Sequence, residues 1–117
     1  MRLTPVTYDN ALPISGYGPG FFRVGTHLLR GPCLISPWDA GPWGGYADTA
    51  GPLSLAGRID VLFVGTGAEI AHVPAAFREA MEAVGMGVEV MNSPAACRTY
   101  NVILGEGRRI AVAVLPV

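Results

Sequence analysis

The chain has 117 residues, 50 % of them apolar and 15 % charged, with a formal net charge of −1. At about 100–200 residues per domain this is the length of one compact domain over 1–117, and so apolar a composition excludes disorder and a coiled coil. The near-neutral charge leaves no basic footprint for nucleic acid and no polybasic patch for an anionic membrane.

Residues 1–16, punctuated by Pro5, Asn10, Pro13 and Gly16, read as an extended arm laid on the body. From Tyr17 to Leu29, β-forming residues flank Val24-Gly25-Thr26. Glycine there offers the positive φ of a tight hairpin turn, which predicts two short antiparallel strands. Cys33-Leu34-Ile35-Ser36 predicts a brief strand bounded by Pro32 and Pro37, because proline cannot donate to a ladder. Residues 37–52 hold four glycines, three prolines and three aromatics, a composition that disfavours helix and central strand and predicts one long loop. Its rings Trp38, Trp43 and Tyr46 have two readings: they fold back as a lid on the core, or they stay half exposed as a surface for a partner.

The second half is more regular. Asp60-Val61-Leu62-Phe63-Val64, ending in Gly65-Thr66-Gly67, has the continuous apolar run of a strand covered on both faces. Pro74 suits a first helical turn, Phe77, Ala80, Met81 and Val84 recur at three- and four-residue spacing, and Gly85 is a C-terminal stop. Arg78 and Glu82 fall on the other face at i,i+4. Val88 to Met91 predicts the next strand, and Ser93-Pro94 supplies an N-cap and a first-turn proline for a helix over 94–104 lined by Cys97, Tyr100 and Leu104. Glu106-Gly107-Arg108-Arg109 makes a polar turn before a final strand, Ile110 to Leu115. Strand–helix–strand–helix–strand predicts an α/β sandwich with right-handed crossovers.

The chemistry-bearing residues are few. All eight cations are arginine, so a Schiff-base lysine, a P-loop lysine and an amine base are absent. Cys33 and Cys97, 64 positions apart, have no second cysteine or histidine cluster beside them to build a zinc or thioredoxin-like site, and read as buried free thiols. No metal or cofactor is expected. Gly65-Thr66-Gly67 invites a dinucleotide reading, but the third glycine position is Ile70 and the helix begins near Pro74, too far on to aim its amides at the turn. His27, His72 and Glu69 have no neighbour in sequence that would orient a general base. Arg98, Glu106, Arg108 and Arg109 lie close in sequence, so a carboxylate held between guanidiniums is expected, either as an internal salt bridge or as a clamp for an anion or a partner's acidic residue. Ser93 at a helix N-terminus caps that helix or helps attract an anion. Asn101, a poor helix former, should hold a specific backbone hydrogen bond.

The run from Val88-Glu89-Val90-Met91 through Ala95-Ala96-Cys97-Arg98-Thr99-Tyr100-Asn101-Val102 to Glu106-Gly107-Arg108-Arg109-Ile110-Ala111 resembles the small domain family that includes mitochondrial respiratory complex I assembly factor 3. Tyr17-Gly18-Pro19-Gly20-Phe21 and Val64-Gly65-Thr66-Gly67 fit the same pattern, whereas Asn92-Ser93-Pro94 stands where the family often has an Asp-Thr-Gly-like tripeptide. The resemblance implies a three-layer α/β sandwich, with a mixed central sheet, helices packed on it and an additional small antiparallel β element. It also implies a domain without established catalysis, linked to assembly of a membrane respiratory complex.

Two functions are therefore carried forward. The first is a cytoplasmic, non-catalytic assembly or protein-interaction domain using Trp43 and Tyr46 with Arg98, Glu106 and Arg108. The second is a binder or enzyme for a small anion in a crevice near Gly65–Gly67, Ser93 and the arginine cluster. The N-terminus lacks the apolar run of a secretory signal, and no stretch of about 18 apolar residues is present for membrane insertion.

Overall fold

The long apolar runs of the second half form the parallel centre of the large sheet, and the first half joins it through β5. The computed structural model describes residues 6–8 and 10–117. In chain order it contains β1 (Val6–Thr7), β2 (Ile14–Gly18), β3 (Phe21–Val24), β4 (His27–Arg30), β5 (Cys33–Ile35), β6 (Asp39–Pro42), a 3-10 turn (Gly45–Ala47), α1 (Ala50–Leu53), β7 (Val61–Thr66), α2 (Ala75–Glu82), β8 (Gly87–Met91), α3 (Ser93–Gly105) and β9 (Ile110–Leu115). A six-stranded mixed sheet has the order β1-β6-β5-β9-β7-β8, and a second sheet has the order β2-β3-β4. β7 lies parallel to both β8 and β9, while β5 joins β9 and β6 antiparallel.

Alternation along the strands sends two different surfaces to the two faces. Leu62, Val64, Ala111 and Ala113 share one buried cluster with Phe77 and Met81 of α2, Met86 and Trp43. Phe63, Val112 and Val114 share the other with Ala96, Cys97 and Tyr100 of α3, Cys33 and Ile35 of β5, and Phe22 and Val24 of the small sheet. The expected three layers are therefore present, with α2 and α3 on opposite faces. The predicted spacing on α2 holds for Phe77 and Met81, which are buried; Val84 lies past the last helical residue and is exposed. Gly85, at φ +85°, ends the helix as expected.

Two expectations are corrected. The arm over 1–16 is not simply extended: Ile14–Gly18 forms a third strand on the hairpin, with a bulge at Ser15, whose hydroxyl donates to the Gly25 and Arg23 carbonyls. Residues 1–5 and 9 lie outside the described residues. The hairpin itself turns at Gly25, at φ +58°, as the sequence predicts.

The segment 37–52 is not one loop but a strand, a 3-10 turn and a short helix. Trp43 N–H donates to Pro32 O and Ser36 N–H to Asp39 O, so the antiparallel alternation turns the Pro42 nitrogen away from β5. There its missing N–H interrupts no bond to β5. Asp48 then organises the turn, its two carboxylate oxygens accepting from Gly44 N–H and Gly51 N–H at 2.9 and 3.1 Å.

Of the two readings of the aromatic segment, folding back is the one observed. Trp43 is only 3 % exposed and donates its indole N–H to Asp48 O at 3.0 Å. Its ring meets half-buried Tyr46 edge-on at 5.6 Å and Phe77 at 5.8 Å. Trp38, half-buried, lies under the Arg58 guanidinium at 3.9 Å. Trp43→Ala should therefore cost about 3–5 kcal/mol and Leu62→Ala about 2–5 kcal/mol in urea unfolding; a loss under about 1 kcal/mol for Trp43→Ala would place that ring outside the core.

Candidate functional site

In an open α/β sheet, ligands are received beyond the carboxyl ends of the parallel strands, where successive connections depart in opposite directions. Here that place is the end of β7, since the chain leaves it for β8 on one side and returns past it to β9 on the other. Gly65-Thr66-Gly67 and the start of α3 meet there. They meet too closely to leave a crevice: a Cβ on Gly65 would stand 2.8 Å from both Ser93 Cα and Ser93 Oγ.

Ser93 closes the junction rather than capping the helix. It is fully buried, accepts from Gly67 N–H at 2.9 Å, donates its hydroxyl to Leu115 O at 2.6 Å, and donates its own N–H to Gly67 O at 2.7 Å. The cap is Asn92, whose carboxamide oxygen accepts from Ala95 N–H at 2.8 Å, while Ala96 N–H bonds Asn92 O. Pro94 has no N–H to give. Every amide of the first turn is thus engaged, and the anion site expected at Ser93 lacks free donors. Thr66 completes the closure: its Oγ1 accepts from Ala71 N–H and donates to Glu69 O at 2.8 Å.

The ionic cluster is corrected as well. Arg98, Glu106 and Arg108 are all exposed, and the ion pairs among the described residues are Arg78–Glu82 at 3.6 Å and Arg109–Asp60 at 3.2 Å. Glu106 follows Arg98 by eight residues, about 12 Å of helical rise, and Arg109 turns the other way, to Asp60 Oδ1 and Gly57 O ahead of β7. Arg98 and Glu106 do fall on one outward stripe of α3, at four-residue steps with Val102, which is 63 % exposed, between them. Asn101 meets its expectation by a long-range route: its side chain accepts from Ile14 N–H and donates to Ile14 O, both at 2.8 Å.

Three buried groups, Cys33, Cys97 and Tyr100, gather beneath α3, with half-buried Tyr8 near them. Cys33 and Cys97 are free and buried. Burial, with the other thiol nearby, pushes Cys33 up to about 12; burial raises Cys97 to about 11 against the lowering influence of Arg98. Tyr100 is also raised by burial, then by Tyr8 and Asp39, and its buried hydroxyl has no hydrogen-bond partner among the described residues. Tyr8 itself donates to Ser36 O. Neither thiol is poised as a thiolate nucleophile, which requires a lowered pKa.

Clefts are open elsewhere on the surface, two of them flanked by charged side chains. One, of about 220 Å³, lies between β5, β6 and α1, with Asp39, Asp48 and Arg58 among its walls. The larger, about 440 Å³, is lined by Ile70, Ala71, His72, Val73, Arg78 and Val90. Sequence reasoning passed over this second cleft because His72 read there as a histidine without an orienting partner and Arg78 as half of an i,i+4 pair with Glu82; the available signal was an arginine one step from the buried helix position Phe77. No group of three or more potential metal-ligating side chains is found among the described residues, and none of their helices is long and apolar enough to cross a membrane.

Solved structures place this architecture in a known class. A crystal structure of an outer membrane protein from Bartonella henselae superposes with a TM-score of 0.81 at 30 % identity, covering 92 % of this chain and 97 % of that one. A Bordetella parapertussis protein gives 0.81 at 30 % identity, covering 94 % and 100 %. A Bordetella pertussis protein described as an Mth938-like domain gives 0.75 at 26 %, covering 99 % and 92 %. The fold is thus that of the Mth938-like α/β domains. Residues 14–115 match the model of the family described as protein of unknown function (DUF498/DUF598), and the chain belongs to that family. An uncharacterised protein of Rhodobacter capsulatus is 47 % identical over 109 residues, 93 % of this chain and 88 % of that protein.

Two outcomes check the junction and the thiols. Ser93→Ala should destabilise the fold by about 1–3 kcal/mol for each of the Gly67 N–H and Leu115 C=O groups it orphans, and Gly65→Ala by at least as much; unchanged urea midpoints would remove the junction from the structural core. The thiols, raised from an ordinary 9.0, hold their protons more tightly folded than unfolded. Their stabilising contribution is complete below pH 9 and is lost as pH rises toward about 11 and 12. A double Cys33→Ala, Cys97→Ala variant should flatten that part of the alkaline stability profile.

Proposed function

We propose that the chain is a protein-docking domain without bond-making chemistry, working in the cytoplasm on a subunit of a membrane respiratory complex. The observation that supports it is the outward stripe of α3, where Arg98, Val102 and Glu106 set a cation, an apolar side chain and an anion in line, with Arg108 just beyond. These ions serve no ion pair among the described residues, so their charge is available to a complementary face, and complementarity of that kind sets orientation and partner choice. Trp43 contributes nothing to this surface, because it is core. The competing anion reading is weakened by the Ser93 junction, which engages the amides it needs.

The partner class rests on the likeness of residues 88–111 to the family that includes complex I assembly factor 3. Capture from native cells with solubilised membranes, comparing the unaltered bait with Arg98→Glu/Arg108→Glu, tests both parts. The paired reversal should lower recovery of the partner about tenfold, of the order expected when charge complementarity is inverted, and leave the melting temperature unchanged. Equal recovery would overturn the stripe; a recovered set without a respiratory-complex subunit would overturn the partner class.

A further inference from the structure

The six-stranded sheet ends at β8, which is hydrogen-bonded to β7 on one side and, among the described residues, to no strand on the other. In a parallel pair successive residues direct their backbone groups alternately toward and away from the neighbour. Gly87 N–H donates to Asp60 O at 2.9 Å and Met91 O accepts from Thr66 Oγ1, which assigns Gly87, Glu89 and Met91 to the β7 side. Val88 and Val90 therefore present their N–H and C=O groups at the open edge. Among the described residues the group bonded to that edge is Arg78, whose guanidinium donates to Val88 O at 3.2 Å and is itself 3.6 Å from exposed Glu82.

The cleft of about 440 Å³ runs beside this edge, on the α2 face to which the side chains of Val88 and Val90 turn. Its walls are Ile70, which is 66 % exposed, Ala71, Val73 and Val90. Arg78 stands at the Val88 end, and His72, from the segment following β7, toward the Val90 end. Glu89, exposed, projects from the opposite face. An edge strand whose outward groups, Val88 O apart, have no hydrogen-bond partner among the described residues, with an apolar trough on one face and a carboxylate on the other, is suited to an added strand.

A second copy of the chain fits that role poorly in the register that uses the whole edge. Antiparallel pairing of two β8 edges through Val88 and Val90 brings Glu89 opposite its own counterpart in a non-hydrogen-bonded pair, where Cα atoms approach to about 4.5 Å and like charges repel. We propose that β8 accepts an extended segment of a different protein. That segment carries a cation opposite Glu89, apolar residues on either side of it facing the trough, and a carboxylate further along the same face for Arg78 or His72. The proposal is independent of the α3 stripe, which lies on the other side of the sheet, and stands or falls separately from it.

The probes are two capped peptides, Ser-Val-Lys-Val-Ser-Asp and its counterpart with glutamate replacing lysine, titrated into the purified full chain with backbone amide NMR shifts as readout. The lysine peptide should move Val88, Val90 and Arg78 resonances saturably and bind about fivefold more tightly than the glutamate peptide, as an opposite-charge pair against a like-charge pair on adjacent strands allows. Glu89→Lys should reverse that preference. Val90→Pro, which deletes an N–H directed away from β7 and also removes some packing against the α2 cluster, should abolish binding at a lowered melting temperature while the amide shifts of β9 and α3 stay those of the folded chain. Absence of β8 shifts with both peptides, or an unchanged preference in Glu89→Lys, overturns the proposal, as do β8 shifts that depend on protein concentration alone.

Discussion

The contact on which the rest of this structure hangs is the seating of α3 on the end of β7. Gly65 has no side chain, so Ser93 comes to rest against the strand itself, and its hydroxyl and N–H tie together the last turns of β7 and β9. That seating fixes where α3 crosses the sheet. The helix then delivers Cys97 and Tyr100 into the core between the large sheet and the small one, and presents Arg98, Val102 and Glu106 to solvent. The same contact fills the place where many α/β sheets receive a ligand. Architecture and chemistry compete for one set of amides, and here architecture holds them.

What the sequence made readable follows from where the stabilising partners lie. Ile110 to Leu115 was legible residue for residue because a strand covered on both faces is an uninterrupted apolar run, and α3 was legible to within a residue at either end because Pro94 and the spacing of Cys97 and Tyr100 are local signals. β6 and β2 were not, since Asp39-Ala40-Gly41-Pro42 and Ile14-Ser15-Gly16-Tyr17-Gly18 have little intrinsic strand preference and owe their conformation to β5 and β3. The Arg98, Glu106 and Arg108 cluster failed for the converse reason. Closeness in sequence said nothing about Asp60, forty-nine positions before Arg109, which is the carboxylate actually engaged. Ser93 was noticed for the right atom and given the wrong duty: a hydroxyl beside a helix start looks like a cap, and only the proximity of Gly67 and Leu115 reveals otherwise.

The two faces of the large sheet divide the work. On the α2 side the small residues Ala111 and Ala113 share a cluster with the rings of Trp43 and Phe77, so the aromatic segment that looked like a sticky surface is drawn inward. On the α3 side the branched residues of β9 meet a helix and a second sheet, leaving the outer stripe of α3 polar except at Val102. With Trp43 and Phe77 spent on packing, the molecule keeps for its surroundings a charged helix face and a strand edge that no other strand pairs among the described residues.

Asn101 gives this arrangement a property of its own. Its carboxamide pairs with both backbone groups of Ile14, as a neighbouring strand residue would, so a helix side chain stands in for a rung of the small sheet. The first strand of that sheet is consequently stitched to the last helix across eighty-seven positions of chain. The small sheet therefore takes part of its stability from a helix laid down near the far end of the chain, and loosening that helix is felt at Ile14.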